Sequence, residues 1–180
     1  GNRWKEHGKP ENLKTLLMEA YSQVNEVVHD ASRANPDYAG MGTTMVTALC
    51  GEGQVLIGNV GDSRAYKVDG DGIRQISRDH SLVQMMVDRG DLTAEMAKTY
   101  PGKNFITRAI GTETVAECDL FHYRVERGDC LLLCSDGLTD MLSPEAIQKI
   151  LRTAPEPEAA SLEMLQKALL NGGKDNVTFI

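Results

Sequence analysis

Apolar residues recur at spacings of three and four from Leu13 to Ala31, through Leu16, Leu17, Ala20, Val24, Val27 and Val28. That period predicts one amphipathic helix over residues 11–34. "NPDYAGMG" ends it with a proline and two glycines. Two strand-like runs follow, "TTMVTALC" and "QVLIGNV", joined by "GEG" as a hairpin. A second hairpin sets "SRAYKVD" against "IRQIS" across "GDG". Residues 78–112 change character. "SLVQMMVDRG" predicts a short helix opened by Ser81 and closed by Gly90, and "LTAEMAKTYPGKN" a second helical piece ending at Pro101. An excursion of this length reads as a lid over the sheet.

Strands return with "CDLFHYRV", the turn "ERGD" and "CLLLC". Ser143-Pro144 then opens one helix, and another near 157–171 closes at Gly172-Gly173. The last residues, "NVTFI", read as a strand. Hairpin-linked strands set apart from groups of helices predict an α+β fold with a largely antiparallel sheet, organised as one domain with a helical insert.

Composition narrows the function classes. A chain of 180 residues with 41% hydrophobic and 25% charged residues can bury a sizeable core. A formal net charge of −7 argues against nucleic acid or an anionic membrane as the main partner. An anionic substrate would need a bound cation to attract it. Cys50, Cys118, Cys130 and Cys134 form no CxxC pair, and Cys130 and Cys134 fall on one strand face as small apolar fillers. Reduced thiols predict a cytoplasmic location, and no apolar run is long enough to span a bilayer.

Three acids stand at strand ends. Asp62 follows "VLIGNVG", Asp136 follows "CLLLCS", and Asp175 precedes "NVTFI", each with a glycine nearby. Strands of one sheet bring their ends to a common rim, so residues far apart in sequence can meet there. Turn formation and helix capping account for any one of these aspartates. Three together repel unless a cation neutralises them, and an all-oxygen set suits Mg²⁺ or Mn²⁺. All three readings stay open on the residues alone.

"GMGTTMVTAL", "GNVGDSRAYKV", "RDHSL", "NFITRAIG", "GDCLLLCSDGLTDML" and "GGKDNVTFI" resemble, in order and spacing, the bacterial branch of the protein phosphatase 2C family of metal-dependent serine/threonine phosphatases. The likeness covers residues 40–180, and the 11–34 helix suits the family's helix before the Gly-Thr-Thr strand. The resemblance implies a β-sandwich flanked by helices, with two Mn²⁺ or Mg²⁺ ions at one end and a third in bacterial members. It places Asp136 and Asp175 on the first ion, Asp62 with Asp136 on the third, and residues 78–112 in the substrate-handling flap. Within the flap region His80 and Arg108 are candidates for substrate contact. Arg64 and Arg108 also read as pairing residues, and His80 as a structural histidine.

The implied reaction is hydrolysis of phosphoserine and phosphothreonine in proteins by a metal-activated water. The implied partners are phosphoprotein substrates and a cognate serine/threonine kinase. Two family segments, Arg-x-x-Asn-Glu-Asp and Asp-Gly-x-Gly-Gly-His, do not occur in these 180 residues. The expectation is therefore an amino-terminally truncated domain, inactive alone and prone to self-association through uncovered strands. The competing reading is a non-catalytic phosphatase-like module for binding or regulation.

Overall fold

The computed structural model describes residues 10–180. Six strands form two antiparallel three-stranded sheets, and the packing clusters stack them as four layers. α1 (Pro10–Ala34) covers the first sheet, in the order β1-β2-β5. Its strands are β1 (Met45–Gly51), β2 (Gln54–Val60) and β5 (Asp119–Arg124). The second sheet runs β4-β3-β6, from β3 (Arg64–Asp69), β4 (Gly72–Gln75) and β6 (Cys130–Cys134). α4 (Asp136–Thr139), α5 (Pro144–Thr153) and α6 (Pro157–Leu170) cover its outer face. Among the described residues no helix is long and apolar enough to cross a membrane.

Alternation along each strand explains the layers. In β2, Val55 and Ile57 face the other sheet and meet Ala65 and Ile76, while Leu56 and Val60 face α1. In β6, Leu131 and Leu133 point between the sheets, and Leu132 and Cys134 point to the helices. Both faces of β2 and β6 are covered, which is why "VLI" and "LLL" are continuous apolar runs. The first hairpin turns at Glu52 (φ 51°) and Gly53 (φ 72°), the paired left-handed conformations that match strand twist.

Several expectations shift. The buried face of α1 is Leu17, Tyr21 and Asn25, flanked by Val28, whereas Val24 and Val27 are exposed. Burying Leu17 there contributes on the order of 1.5–3 kcal/mol. Asn25 is tolerated because Nδ2 donates to Glu113 O (3.0 Å) and Thr114 O (3.3 Å), while Oδ1 accepts from Gly111 N (2.7 Å). The second helical piece of the excursion is a single turn, α3 (Ala94–Ala97), capped by Thr93. "NVTFI" does not form a full strand: it meets β6 at one bridge, Cys134 to Phe179. Ser135 N to Thr178 O (2.9 Å) and Ile180 N to Leu133 O (2.9 Å) flank that bridge.

Within residues 78–112 only the middle leaves the sandwich, since His80 and Ser81 are buried at one end and Ala109 and Ile110 at the other. α2 (Leu82–Arg89) is capped by Ser81 Oγ and closed by Gly90 at φ 81°, and neither it nor α3 has a buried residue. The base of the excursion is closed: Leu82 N donates to Phe105 O (2.8 Å) and Thr107 N to His80 O (2.8 Å). Lys103 Nζ reaches Asp140 Oδ1, at the end of α4, at 2.7 Å.

Candidate functional site

The ends of β2 and β6 build one rim. β2 stops at Val60, and Gly61 turns with φ +105°; a Cβ there would lie 2.4 Å from Thr44 Cγ2. Only glycine fits both the conformation and the contact. Asp62 follows, and beside it Ser63 Oγ bonds Thr44 Oγ1 at 2.8 Å. At the end of β6, Ser135 takes the N-cap position of α4 and Asp136 its first turn, so Asp136 is not the cap. A Cβ on Gly137 would come 2.2 Å from Asn176 O. The missing side chain lets residues 175–178 close onto this turn, where Ser135 Oγ accepts from Thr178 N (3.1 Å).

Asp136 and Asp175 consequently line the same hollow, of ≈ 690 Å³, together with Thr43, Thr44, Ser135 and Asn176. Asp62 is not part of that lining but lies near enough to Asp136 to feel its charge. Burial first, then the Asp136 charge, pushes its carboxyl up to about 6. Asp136 is likewise raised, by burial and then by Asp175 and Asp140. Among the described residues none of the ion pairs involves Asp62, Asp136 or Asp175. Nor do three His, Cys, Asp or Glu side chains among them enclose a ready metal cage. The donor set is oxygen only, acidic and without an ion-paired cation among the described residues, which fits a hard divalent cation whose remaining ligands come from elsewhere.

The other candidates sit differently. His80 is 6% exposed, and both ring nitrogens are engaged. Nδ1 accepts from Gly61 N at 3.1 Å, and Nε2 lies 3.2 Å from Asp119 Oδ2. Arg108 donates to Asp119 Oδ1 at 2.9 Å. Burial works against the charge of Asp119, but the hydrogen bonds from His80 and Arg108 outweigh it and lower its pKa. Arg64 grips Asp79 through Nε (2.9 Å) and Nη2 (2.6 Å), a pairing role. Asp79 and Asp119 carried no sequence signal as site residues, because their partners lie 15 and 39 positions away, Arg64 and His80 respectively. The cysteines are all free, and burial pushes Cys118 up to about 11 and Cys134 up to about 12. Neither is a ready thiolate nucleophile.

Known proteins resemble this chain in sequence and in fold. The protein phosphatase 2C family model matches residues 2–170. The serine/threonine phosphatase Stp of Listeria innocua is 38% identical over 170 residues, 94% of this chain and 68% of the relative. The crystal structure of Stp1 from Staphylococcus aureus superimposes with a TM-score of 0.90 at 40% identity, covering 95% of this chain and 67% of that one. The catalytic domain of the phosphatase PstP, solved in complex with two manganese ions, gives a TM-score of 0.81 at 34% identity, covering 91% and 67%. The chain thus spans about two thirds of the length of these relatives. Matched along nearly its whole length in sequence and in fold, this chain belongs to the protein phosphatase 2C family of serine/threonine phosphatases.

Proposed function

We propose that this chain carries the Asp62–Asp136–Asp175 side of a metal-dependent centre that hydrolyses phosphoserine and phosphothreonine in proteins. One observation supports the reading: Asp136 shares a hollow with Asp175 and its charge reaches Asp62, while none of the three forms an ion pair among the described residues. Acids that repel one another at neutral pH need a counter-charge, and oxygen donors select Mg²⁺ or Mn²⁺. In this reading Asp136 and Asp175 hold the first ion, and Asp62 with Asp136 a third. When bound, the ions supply the positive charge that activates a water and neutralises the phosphoryl oxygens.

The chain's own contribution is placement. Gly137 admits the 175–178 segment, Gly61 aims Asp62, and Thr43 and Thr44 wall the hollow. Its substrates are phosphoproteins, supplied by a serine/threonine kinase. The Asp-Gly-x-Gly-Gly-His segment, with its further aspartate, is not in these 180 residues. On its own the chain therefore binds Mn²⁺ weakly, shows no turnover and self-associates through uncovered strand edges.

The test compares this chain with the same chain extended by the family's amino-terminal motifs. The substrates are para-nitrophenyl phosphate and a phosphoserine peptide, with Mn²⁺. The extended chain should turn over both. Asp136→Asn should lower its rate more than ~100-fold, beyond the usual cost of disturbing an outer-shell partner. Full turnover by Asp136→Asn at saturating Mn²⁺ would remove Asp136 from the centre. An extended chain that binds phosphopeptides without cleaving them would establish the non-catalytic module instead.

A further inference from the structure

The peptide that precedes Asp62 is held by one side chain and its own backbone. Gly61 N donates to His80 Nδ1 (3.1 Å), and Gly61 O accepts from His80 N (2.9 Å) and from Asn59 Nδ2 (3.1 Å). A ring nitrogen that accepts carries no proton, so the imidazole proton sits on Nε2 and points to Asp119 Oδ2 at 3.2 Å. Arg108 fixes Asp119 from its other oxygen at 2.9 Å. The carbonyl of His80 takes the N–H of Thr107, where the excursion returns to the sheet (2.8 Å). His80 thus joins the turn before Asp62, the start of β5 and the base of the excursion.

A proton-donating role needs a ring nitrogen facing the hollow, and His80 has neither nitrogen free nor a place in the lining. A filler role would be met by any side chain of similar shape. The contact with Gly61 demands an acceptor at the Nδ1 position and nothing else.

We infer that His80 is a positioning residue for Asp62: Asp119 sets the imidazole tautomer, the ring pins the Gly61 peptide, and the Asp62 carboxylate is thereby held at the rim for its cation. The inference rests on the metal reading of Asp62 proposed above. It also distinguishes two conservative replacements. Asn places an amide oxygen near the Nδ1 position, whereas Gln places its amide near the Nε2 position.

The experiment uses the ¹⁵N-labelled 180-residue chain and Mn²⁺ itself as the probe. Long-range ¹H–¹⁵N spectra of the wild type should show the ring proton on Nε2. Amide exchange at Gly61 should accelerate at least about tenfold in His80→Gln and stay within about threefold in His80→Asn. The Mn²⁺ concentration that broadens the Asp62 amide should rise about tenfold in His80→Gln but not in His80→Asn, with Asp175 unchanged in both.

If His80→Gln does not fold, Asp119→Ala replaces it. Arg108 Nη1, already 3.3 Å from Nε2, then becomes its donor and drives the ring proton to Nδ1, against Gly61 N–H. The tautomer signal should invert, and Asp62 should broaden only at higher Mn²⁺. Equal Asp62 broadening in the wild type and both disruptive variants overturns the positioning role and leaves the metal reading standing. Absence of broadening at Asp62, Asp136 and Asp175 in the wild type overturns the metal reading, and the inference with it.

Discussion

Asp79 and Asp62 lie close enough to sense each other's charge, yet the fold treats them in opposite ways. Asp79, 8% exposed, receives Arg64 through two nitrogens and Gln75 Nε2 at 2.7 Å. Asp62 is half-buried, with no bonded cation among the described residues, and repulsion from Asp136 adds to the cost of its burial. Arg64 shows the same complementarity from the other side: burial disfavours its charge, but the bonds to Asp79 more than compensate. Burial of an acid is therefore no sign of function by itself. A buried acid whose counter-charge the fold supplies is structural; one whose counter-charge is withheld is prepared to take it from outside.

The largest effect is expected at the paired acid, Asp79. Arg64→Met should leave Asp79 buried with only Gln75, at a cost of about 3 kcal/mol, the lower end for splitting a buried pair, since Arg64 is partly exposed. Urea melts measure it. A loss no larger than that of an ordinary surface substitution, about 0.5 kcal/mol, would mean that Asp79 is not held in the way described.

The unpaired end predicts the opposite sign. Asp62 keeps its proton up to about pH 6 when folded, but releases it near 3.8 when unfolded. Its contribution to stability is thus full below pH 3.8 and lost as pH rises through 6. Asp62→Asn removes that loss and should be more stable than the metal-free wild type at pH 7 by about 1 kcal/mol, after allowance for solvent screening. The two should converge toward pH 4. Melts at both pH values decide it, and a destabilised Asp62→Asn at pH 7 would contradict the repulsion at the rim.

The smallest effect comes from the metal ion itself. Mn²⁺ at a free concentration equal to its dissociation constant should stabilise the wild type by about 0.4 kcal/mol. Asp136→Asn should not respond at that concentration, whereas a variant at Asp79 that still folds should respond like the wild type. Equal shifts for all three would place the ion away from Asp136.

Much of this arrangement was legible along the chain. Period-three-and-four spacing marked α1, alternation and glycine turns marked the hairpins, and Ser143-Pro144 marked the start of α5. The three rim acids stood out because each adjoins a strand-like run of residues and lies near a glycine. Asn25 did not stand out, since a polar residue in an apolar stripe breaks the pattern unless its distant partners at 111–114 are known. "NVTFI" looked like a strand from its β-branched residues, but with one bridge to β6 its backbone is only partly paired.

Local chemistry, readable from neighbours in the chain, determined where helices cap, where strands turn and which residue types face a core. The sequence alone also determined that Asp62 and Asp136 follow strands, because strand ends are local features; Asp175 precedes a segment that only bridges β6. Which of the chain's acids would be neutralised was decided only in three dimensions. Arg64 reaches Asp79 across the β3–β4 hairpin, Arg108 and His80 converge on Asp119, and the backbone at Asn176 closes over Gly137 to bring Asp175 beside Asp136. Charge interactions depend on distance and burial rather than on order along the chain, so a sequence lists its carboxylates while packing decides which of them remain without a partner.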